Sequence, residues 1–132
     1  MIQLKAGGGV VCRQNDNSLQ VLLIFRKGLW DLPKGKKEKG EAIKVCARRE
    51  VAEETGISLP AVSQFLMKTV HQYKRDGHLY VKETHWFKMT TSSNSFTPQL
   101  EEGITKVEWV DIQEAMKKVG YKNLEEVLQK VQ

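Results

Sequence analysis

Residues Lys39 to Thr55 constrain this chain more than any other segment. They read as a helix stopped at Gly56, the residue type that tolerates the left-handed conformation common just past a helix C-terminus. Advancing about 100° per residue, the helix places Ala42, Ile43, Cys46 and Ala47 on one side, the pattern of a face turned to a core. Glu50, Glu53 and Glu54 continue that same sector, so the inward face changes from apolar to triply acidic. Glu50 stands i,i+3 from Glu53 and i,i+4 from Glu54, and such neighbours lie about 5 to 6 Å apart at Cβ. At an effective dielectric of 20 each like-charge pair costs about 3 kcal/mol. The macrodipole further disfavours anions in the C-terminal half of a helix. Two readings remain open. The face is rotated to solvent, where a like-charge pair costs only about 0.2 to 0.5 kcal/mol. Alternatively, the carboxylates bind a hard, oxygen-loving cation, Mg²⁺ or Mn²⁺, that keeps part of its water shell for a phosphate to displace.

The wider pattern bears on that choice. Gly35, Glu41, Arg49, Glu50, Val51, Glu53, Glu54, Gly56 and Ile57 fit G-x5-E-x7-R-E-U-x-E-E-x-G-U, with U aliphatic, without a departure. Average residue usage puts a chance match on the order of 10⁻⁹ per window. The segment resembles the Nudix box, and the chain is similar to the Nudix hydrolase family. The flanks extend the resemblance over nearly the whole chain: an early Gly-Gly-Val-Val strand, Trp-Asp-Leu-Pro-Lys-Gly before the box, and Glu-Trp-Val-Asp before a terminal helix.

The resemblance implies hydrolysis of a nucleoside diphosphate linked to another moiety, by attack of water on phosphorus with Mg²⁺ or Mn²⁺ as cofactor. It makes Glu50 and Glu54 the main metal ligands and adds Glu53 as a further one. A further carboxylate comes from a later loop, Glu102, with Glu101 as the alternative. The carbonyl of Lys34 is a further ligand, because Gly35 lets the backbone fold close to the metal. Either Glu53 or Glu50 takes the proton of the attacking water. Arg49, i,i+4 from Glu53, completes the catalytic set by holding that carboxylate rather than by touching substrate. Glu41, about one residue into the helix near the dipole's positive end, has either a structural or outer role or a catalytic one. Arg26, Lys34 and Lys36 are candidates for phosphate, against the alternative of solvated loop charges. Trp30 and Tyr73 are candidates for substrate. Tyr73 lies 16 residues beyond Ile57 and resembles a base-stacking tyrosine of the diadenosine polyphosphate subgroup; the alternative is an ordinary strand tyrosine.

At 132 residues and 40% hydrophobic content, the chain is one domain's length and can form a core without disulfides. Mixed-sign charge at 28%, with only 3 Pro, excludes collagen-like, mucin-like and disordered classes. The longest apolar stretch, Val21 to Phe25, is too short to span a membrane, and no signal peptide is evident, so a cytoplasmic protein is expected. Cys12 and Cys46 read as reduced core residues. Twenty-one basic against 16 acidic residues leave +5, which suits an anionic partner.

No linker or repeat divides the chain, and residues 1–132 read as a single domain. Val10 to Cys12 and Leu19 to Phe25 read as paired strands around Asn15 to Ser18. Met67 to Tyr73 and His78 to Met89 form a hairpin about Arg75-Asp76-Gly77, and Lys106 to Val110 a further strand. Asp111 caps a helix to Lys118, and Asn123 caps a last helix with Leu124, Val127, Leu128 and Val131 on one stripe. Trp86, Phe87 and Trp109 read as core, and His71, His78 and His85 carry no catalytic role. The element order predicts an α+β fold, an α/β/α sandwich around a central mixed sheet, as the resemblance also implies.

The expected partner is therefore a nucleotide substrate, with dinucleoside polyphosphates favoured; the alternatives are a MutT-like nucleoside triphosphate pyrophosphohydrolase or an RNA 5′-pyrophosphohydrolase. A different class is a non-catalytic module that senses a nucleotide. The complete box argues against it, and 132 residues leave no room for an attached DNA-binding domain. Generic nucleic-acid binding is not expected, because the lysines are scattered among glutamates. A monomer and a homodimer are both compatible. Specificity is expected in Gln14 to Leu19 and Thr90 to Glu102, where no pattern shows.

Overall fold

The computed structural model describes all residues, Met1–Gln132. Seven strands form one sheet in the order β3-β2-β1-β6-β5, with β4 paired to β1 and β7 to β2. The strands are β1 (Ile2–Asn15), β2 (Ser18–Arg26), β3 (Leu29–Asp31), β4 (Lys34–Lys36), β5 (Ala61–Arg75), β6 (His78–Thr90) and β7 (Ile104–Asp111). β1 runs parallel to β6 and antiparallel to β2 and β4, so the sheet is mixed as predicted. Both predicted hairpins are present, β1–β2 about Asp16-Asn17 and β5–β6 about Asp76-Gly77.

Strand alternation divides the core in two. Val10, Cys12, Val21, Leu23 and Trp86 face one side, where Ala115 of α2 (Ile112–Lys118) and Leu124, Val127 and Leu128 of α3 (Lys122–Gln129) cover them. Val11, Leu22, Phe87 and Met89 face the other, under Ala47 and Val51 of α1 (Ile43–Thr55). Helices therefore lie on both faces of the sheet, the α+β sandwich the element order predicted. Trp109 is only half-buried, packed at the edge of the second cluster with the Arg13 guanidinium 4.4 Å over its ring. Both cysteines are free and buried. No helix is long and apolar enough to cross a membrane.

Three helix starts differ from the sequence reading, two in position and one in its cap. α1 ends as predicted, with Gly56 at φ 81°, but begins at Ile43 rather than near Lys39. Gly40 at φ 79° breaks the helical path, and the Glu41 carboxylate accepts the Glu38 N–H at 3.1 Å, so Glu41 precedes the helix. Asp111 stands at the N-cap position of α2 without capping it. Its carboxylate instead accepts from Ser18 Oγ at 3.1 Å and Gln20 Nε2 at 2.9 Å. Tyr121, not Asn123, occupies the N-cap position of α3, and Asn123 lines a cleft instead. The stripe Leu124, Val127, Leu128 and Val131 is buried as predicted.

Candidate active site

The site forms where β4 lies beside α1. A Cβ built on Gly35 would stand 1.9 Å from Glu50 Oε1 and 2.5 Å from Oε2, so only glycine lets the strand approach that carboxylate. Burial pushes the Glu50 carboxyl above its ordinary pKa; Arg49 opposes the shift, while the negative charges of Glu53 and Glu102 add to it. The charge of Glu102 reaches Glu50 from the short 3₁₀ turn Leu100–Glu102, in which Glu101 and Glu102 are both exposed.

One turn on, Glu54 is almost sealed, with 3% of its surface exposed. It accepts the Lys34 backbone N–H at 3.0 Å and the Arg26 guanidinium at 3.4 Å. Burial lifts its pKa to about 7, against the pull of Arg26, Lys34 and that N–H. The acidic face is therefore graded. Glu54 and the half-buried Glu50 turn inward, but the Glu53 side chain is 44% exposed, so the predicted triply acidic inward face holds two carboxylates rather than three.

Arg49 organises the outer rim. Its Nε and Nη2 bind the two oxygens of Glu41 at 2.7 and 3.0 Å, and Nη1 reaches Glu50 at 2.8 Å. Nη1 also donates to both oxygens of Glu53 at 3.1 and 3.3 Å, and Nη2 to the Lys36 carbonyl at 3.2 Å. The pairing with Glu53 is present, but the forked grip on Glu41 is tighter, and it holds the Glu41 pKa down to about 2.

No three His, Cys, Asp or Glu side chains converge on a common point as they stand. Arg49 contacts both Glu50 and Glu53, and Arg26 contacts Glu54. An all-oxygen set of carboxylates beside a glycine cradle is the donor chemistry that hard divalent ions select. These residues fit Mg²⁺ or Mn²⁺.

Next to Glu54 opens a cleft of about 460 Å³. Its geometry begins in the β2–β3 turn, where Lys27 and Gly28 both have positive φ, the conformation of a tight two-residue hairpin. The pairing of Arg26 with Leu29 and of Ile24 with Asp31 makes Arg26 and Asp31 diagonal neighbours across the ribbon. The buried Asp31 accepts from Arg26 Nη2 and Lys34 Nζ, each at 3.3 Å, and from the Leu32 N–H at 2.8 Å. Lys82, from β6, adds a further cation to the cleft; burial, with Lys34 and Arg26 nearby, lowers its pKa.

Of the residues singled out for substrate, Arg26, Lys34 and Tyr73 line this cleft, and Trp30 and Lys36 do not. Trp30 pairs with Phe25, with ring centroids 5.0 Å apart, and its carbonyl accepts the Gly120 N–H just past α2, so it docks a helix end. The Lys36 side chain is exposed, and only its carbonyl enters the site, on Arg49. Asp31, Lys82, Thr69 and Thr84 line the cleft without having been singled out. Asp31 stands within the Trp-Asp-Leu-Pro-Lys-Gly lead-in, a signal that was present. The burial of Lys82 follows from the parallel pairing of β1 with β6, which no local pattern announces.

Comparison with known proteins places this geometry. The family model described as NUDIX domain matches residues 4–131. YvcI, an uncharacterized Nudix hydrolase of Bacillus subtilis (strain 168), is 35% identical over 108 residues, covering 75% of this chain and 61% of that protein. The chain thus spans less than two thirds of that relative's length. A MutT NUDIX hydrolase from Burkholderia pseudomallei superimposes with a TM-score of 0.72 at 20% identity, covering 100% of each chain. The Ap4A hydrolase of C. elegans, in a binary complex, gives a TM-score of 0.69 at 22% identity, covering 97% of this chain and 94% of the other. At those identities the structural likeness establishes the fold.

Proposed function

The chain belongs to the NUDIX domain family, and from that premise we propose that it is a Mg²⁺- or Mn²⁺-dependent hydrolase. It cleaves a pyrophosphate bond in a nucleoside diphosphate linked to another moiety, with a dinucleoside polyphosphate as the favoured substrate. The observation that carries this reading is the placing of Glu50 against Gly35 and of Glu54 against Arg26 and Lys34, two cations that line the adjoining cleft. The likeness of the fold to an Ap4A hydrolase supports the substrate class, as does a cleft lined both by cations and by Tyr73.

Glu50 and Glu54 would hold the divalent ion, joined by Glu102 and the Lys34 carbonyl. When bound, the ion neutralises charge on the bridging phosphate oxygens and lowers the pKa of water. Glu53 is the carboxylate left to take the proton of the attacking water: it is the most exposed of the three and is held through a single Arg49 nitrogen. Arg49 positions Glu53 and Glu50 through contacts anchored on Glu41. Arg26 and Lys34, aligned by Asp31, meet the phosphate chain, and Tyr73 offers a ring for the base.

A screen of dinucleoside polyphosphates, nucleoside triphosphates and 5′-triphosphorylated RNA with Mg²⁺ or Mn²⁺ tests this, with identification of the products. The expected result is metal-dependent turnover, fastest on a dinucleoside polyphosphate, lost on the order of 10³-fold in a Glu50→Gln/Glu54→Gln variant that keeps its fold. A fully active double variant sinks the reading. Nucleotide binding without turnover makes the protein a sensor instead.

A further inference from the structure

On the sheet face that carries Trp86, burial stops short of the β5–β6 hairpin tip. Thr84 and Trp86 are buried, Lys82, Tyr80 and Tyr73 are half-buried, and His71, Arg75 and His78 are exposed. Register places these residues on one face, with His71 opposite Lys82, Tyr73 opposite Tyr80 and Arg75 opposite His78. β1 continues the surface, setting Ile2 beside Tyr80 and Leu4 beside Lys82.

The rings on this face form a run. His71 and Tyr73 stack with centroids 5.7 Å apart, and Tyr73 and Tyr80 stack at 5.2 Å with planes only 8° apart. The Arg75 guanidinium lies over both tyrosines, at 5.9 and 5.3 Å. One cross-strand aromatic pair is enough to account for hairpin stability. It does not account for the charge: Arg75 and Lys82 share this face with the rings, and neither has a carboxylate within 4.0 Å. Lys68 and Lys74 fall on the opposite face by alternation, so what the hairpin brings together is the ring run and these two cations, Arg75 and Lys82, which chain order separates; from chain order generic nucleic-acid binding was not expected.

Partly exposed aromatic rings beside unpaired cations on an open sheet face are the chemistry that binds single-stranded nucleic acid: bases stack on the rings and phosphates meet the cations. The surface is also continuous with the cleft, since His71, Tyr73 and Lys82 line both. We propose that this face binds a single-stranded nucleic acid, bases stacked on the Tyr73–Tyr80 run and backbone phosphates on Arg75 and Lys82. The 5′-phosphorylated end enters the cleft at Arg26 and Lys34. Only that polarity rests on the proposed function; the binding does not.

Fluorescence anisotropy in the presence of EDTA tests it, with a 5′-triphosphorylated single strand of about ten nucleotides as probe and ATP and diadenosine tetraphosphate as competitors. The strand is expected to bind at least tenfold more tightly than ATP and to weaken steeply with salt. Tyr80→Ala and Arg75→Ala, which leave the cleft lining intact, each weaken strand binding about fivefold or more, the low end of what one stacked base contributes. They leave ATP affinity and nucleotide hydrolysis within twofold, and Tyr80→Trp restores strand binding. DNA and RNA strands bind alike, because stacking and phosphate pairing do not read the sugar. Equal affinity for strand and ATP, equal binding of a duplex, or unchanged strand binding in both variants overturns the proposal. So does an equal loss for diadenosine tetraphosphate, which would assign the rings to a second nucleoside. Strand binding lost in a protein that still hydrolyses nucleotides removes this inference alone; strand binding kept without hydrolysis removes only the functional reading above.

Discussion

Two arginines bracket the acidic end of α1, and they are built differently. Arg49 grips Glu41 through a fork at 2.7 and 3.0 Å at the rim of the site, and the Glu41 pKa falls to about 2. Arg26 spans Asp31 and Glu54 at 3.3 and 3.4 Å in the cleft wall, and the Glu54 pKa stays near 7 because burial outweighs the cation. Similar ion pairs thus leave carboxyls on opposite sides of their ordinary range. Short, forked contacts suit a fixed clamp. Longer contacts to a desolvated carboxylate suit an exchangeable one. The contrast predicts that the Arg49 network behaves as the frame of the site and the Arg26 network as its moving part.

The hardest blow to the frame is Gly35→Ala. The added methyl would meet Glu50 at 1.9 Å, so the carboxylate must move. Activity is expected to fall on the order of 10²-fold, the cost of a misplacement of about 1 Å. Stability should change by less than about 1 kcal/mol in urea melts, because the methyl meets the far end of a flexible side chain that can swing aside. Wild-type turnover in this variant would mean that Glu50 need not stand where the cradle puts it.

Arginine-to-lysine exchanges separate the two networks next. Arg49→Lys removes the fork and should cost about 1 to 2 kcal/mol of stability along with a lower kcat. Arg26→Lys should change stability by less than about 1 kcal/mol and mainly raise KM, because its contacts are longer and its proposed partner is the phosphate chain. If both variants shift kcat and KM alike, the division between frame and moving part fails.

The smallest effect is one of sign with pH. Glu41 titrates near 2 in the fold against an ordinary 4.5, so the stability it contributes is present above about pH 4.5 and is lost as pH falls toward 2. The melting-temperature gap between the protein and Glu41→Gln should therefore close over that window. Glu54, raised to about 7, has the opposite slope: in chelator its ionisation weakens the fold as pH climbs from 4.5 through 7, so Glu54→Gln should be the more stable form above pH 7. Parallel gaps in the two variants would contradict the contrast.

What the sequence made legible follows from range. The box spacing, the Gly56 stop, both hairpins and the α3 stripe rest on contacts within one helix or between adjacent strands. The missed features are long-range. Glu41 is held by Arg49, eight residues on, and Asp111 is taken by Ser18 and Gln20, more than ninety residues away, so a local rule made the first helical and the second a cap. Trp30 looked like a substrate residue from its place before the box, but alternation pairs it with Phe25, on the other side of the ribbon from Ile24 and Asp31.

Cys46 lies fully buried in the seam between α1 and β4, its thiol donating to the Gly35 carbonyl at 3.5 Å, and burial raises its pKa to about 11. A thiol so held does not react with an alkylating reagent while the seam is closed, because both thiolate and access are lacking. Its labelling rate is therefore a clock on local unfolding at the cradle, and with Cys12 replaced it would report how often the helix lifts from the strand without any engineered probe.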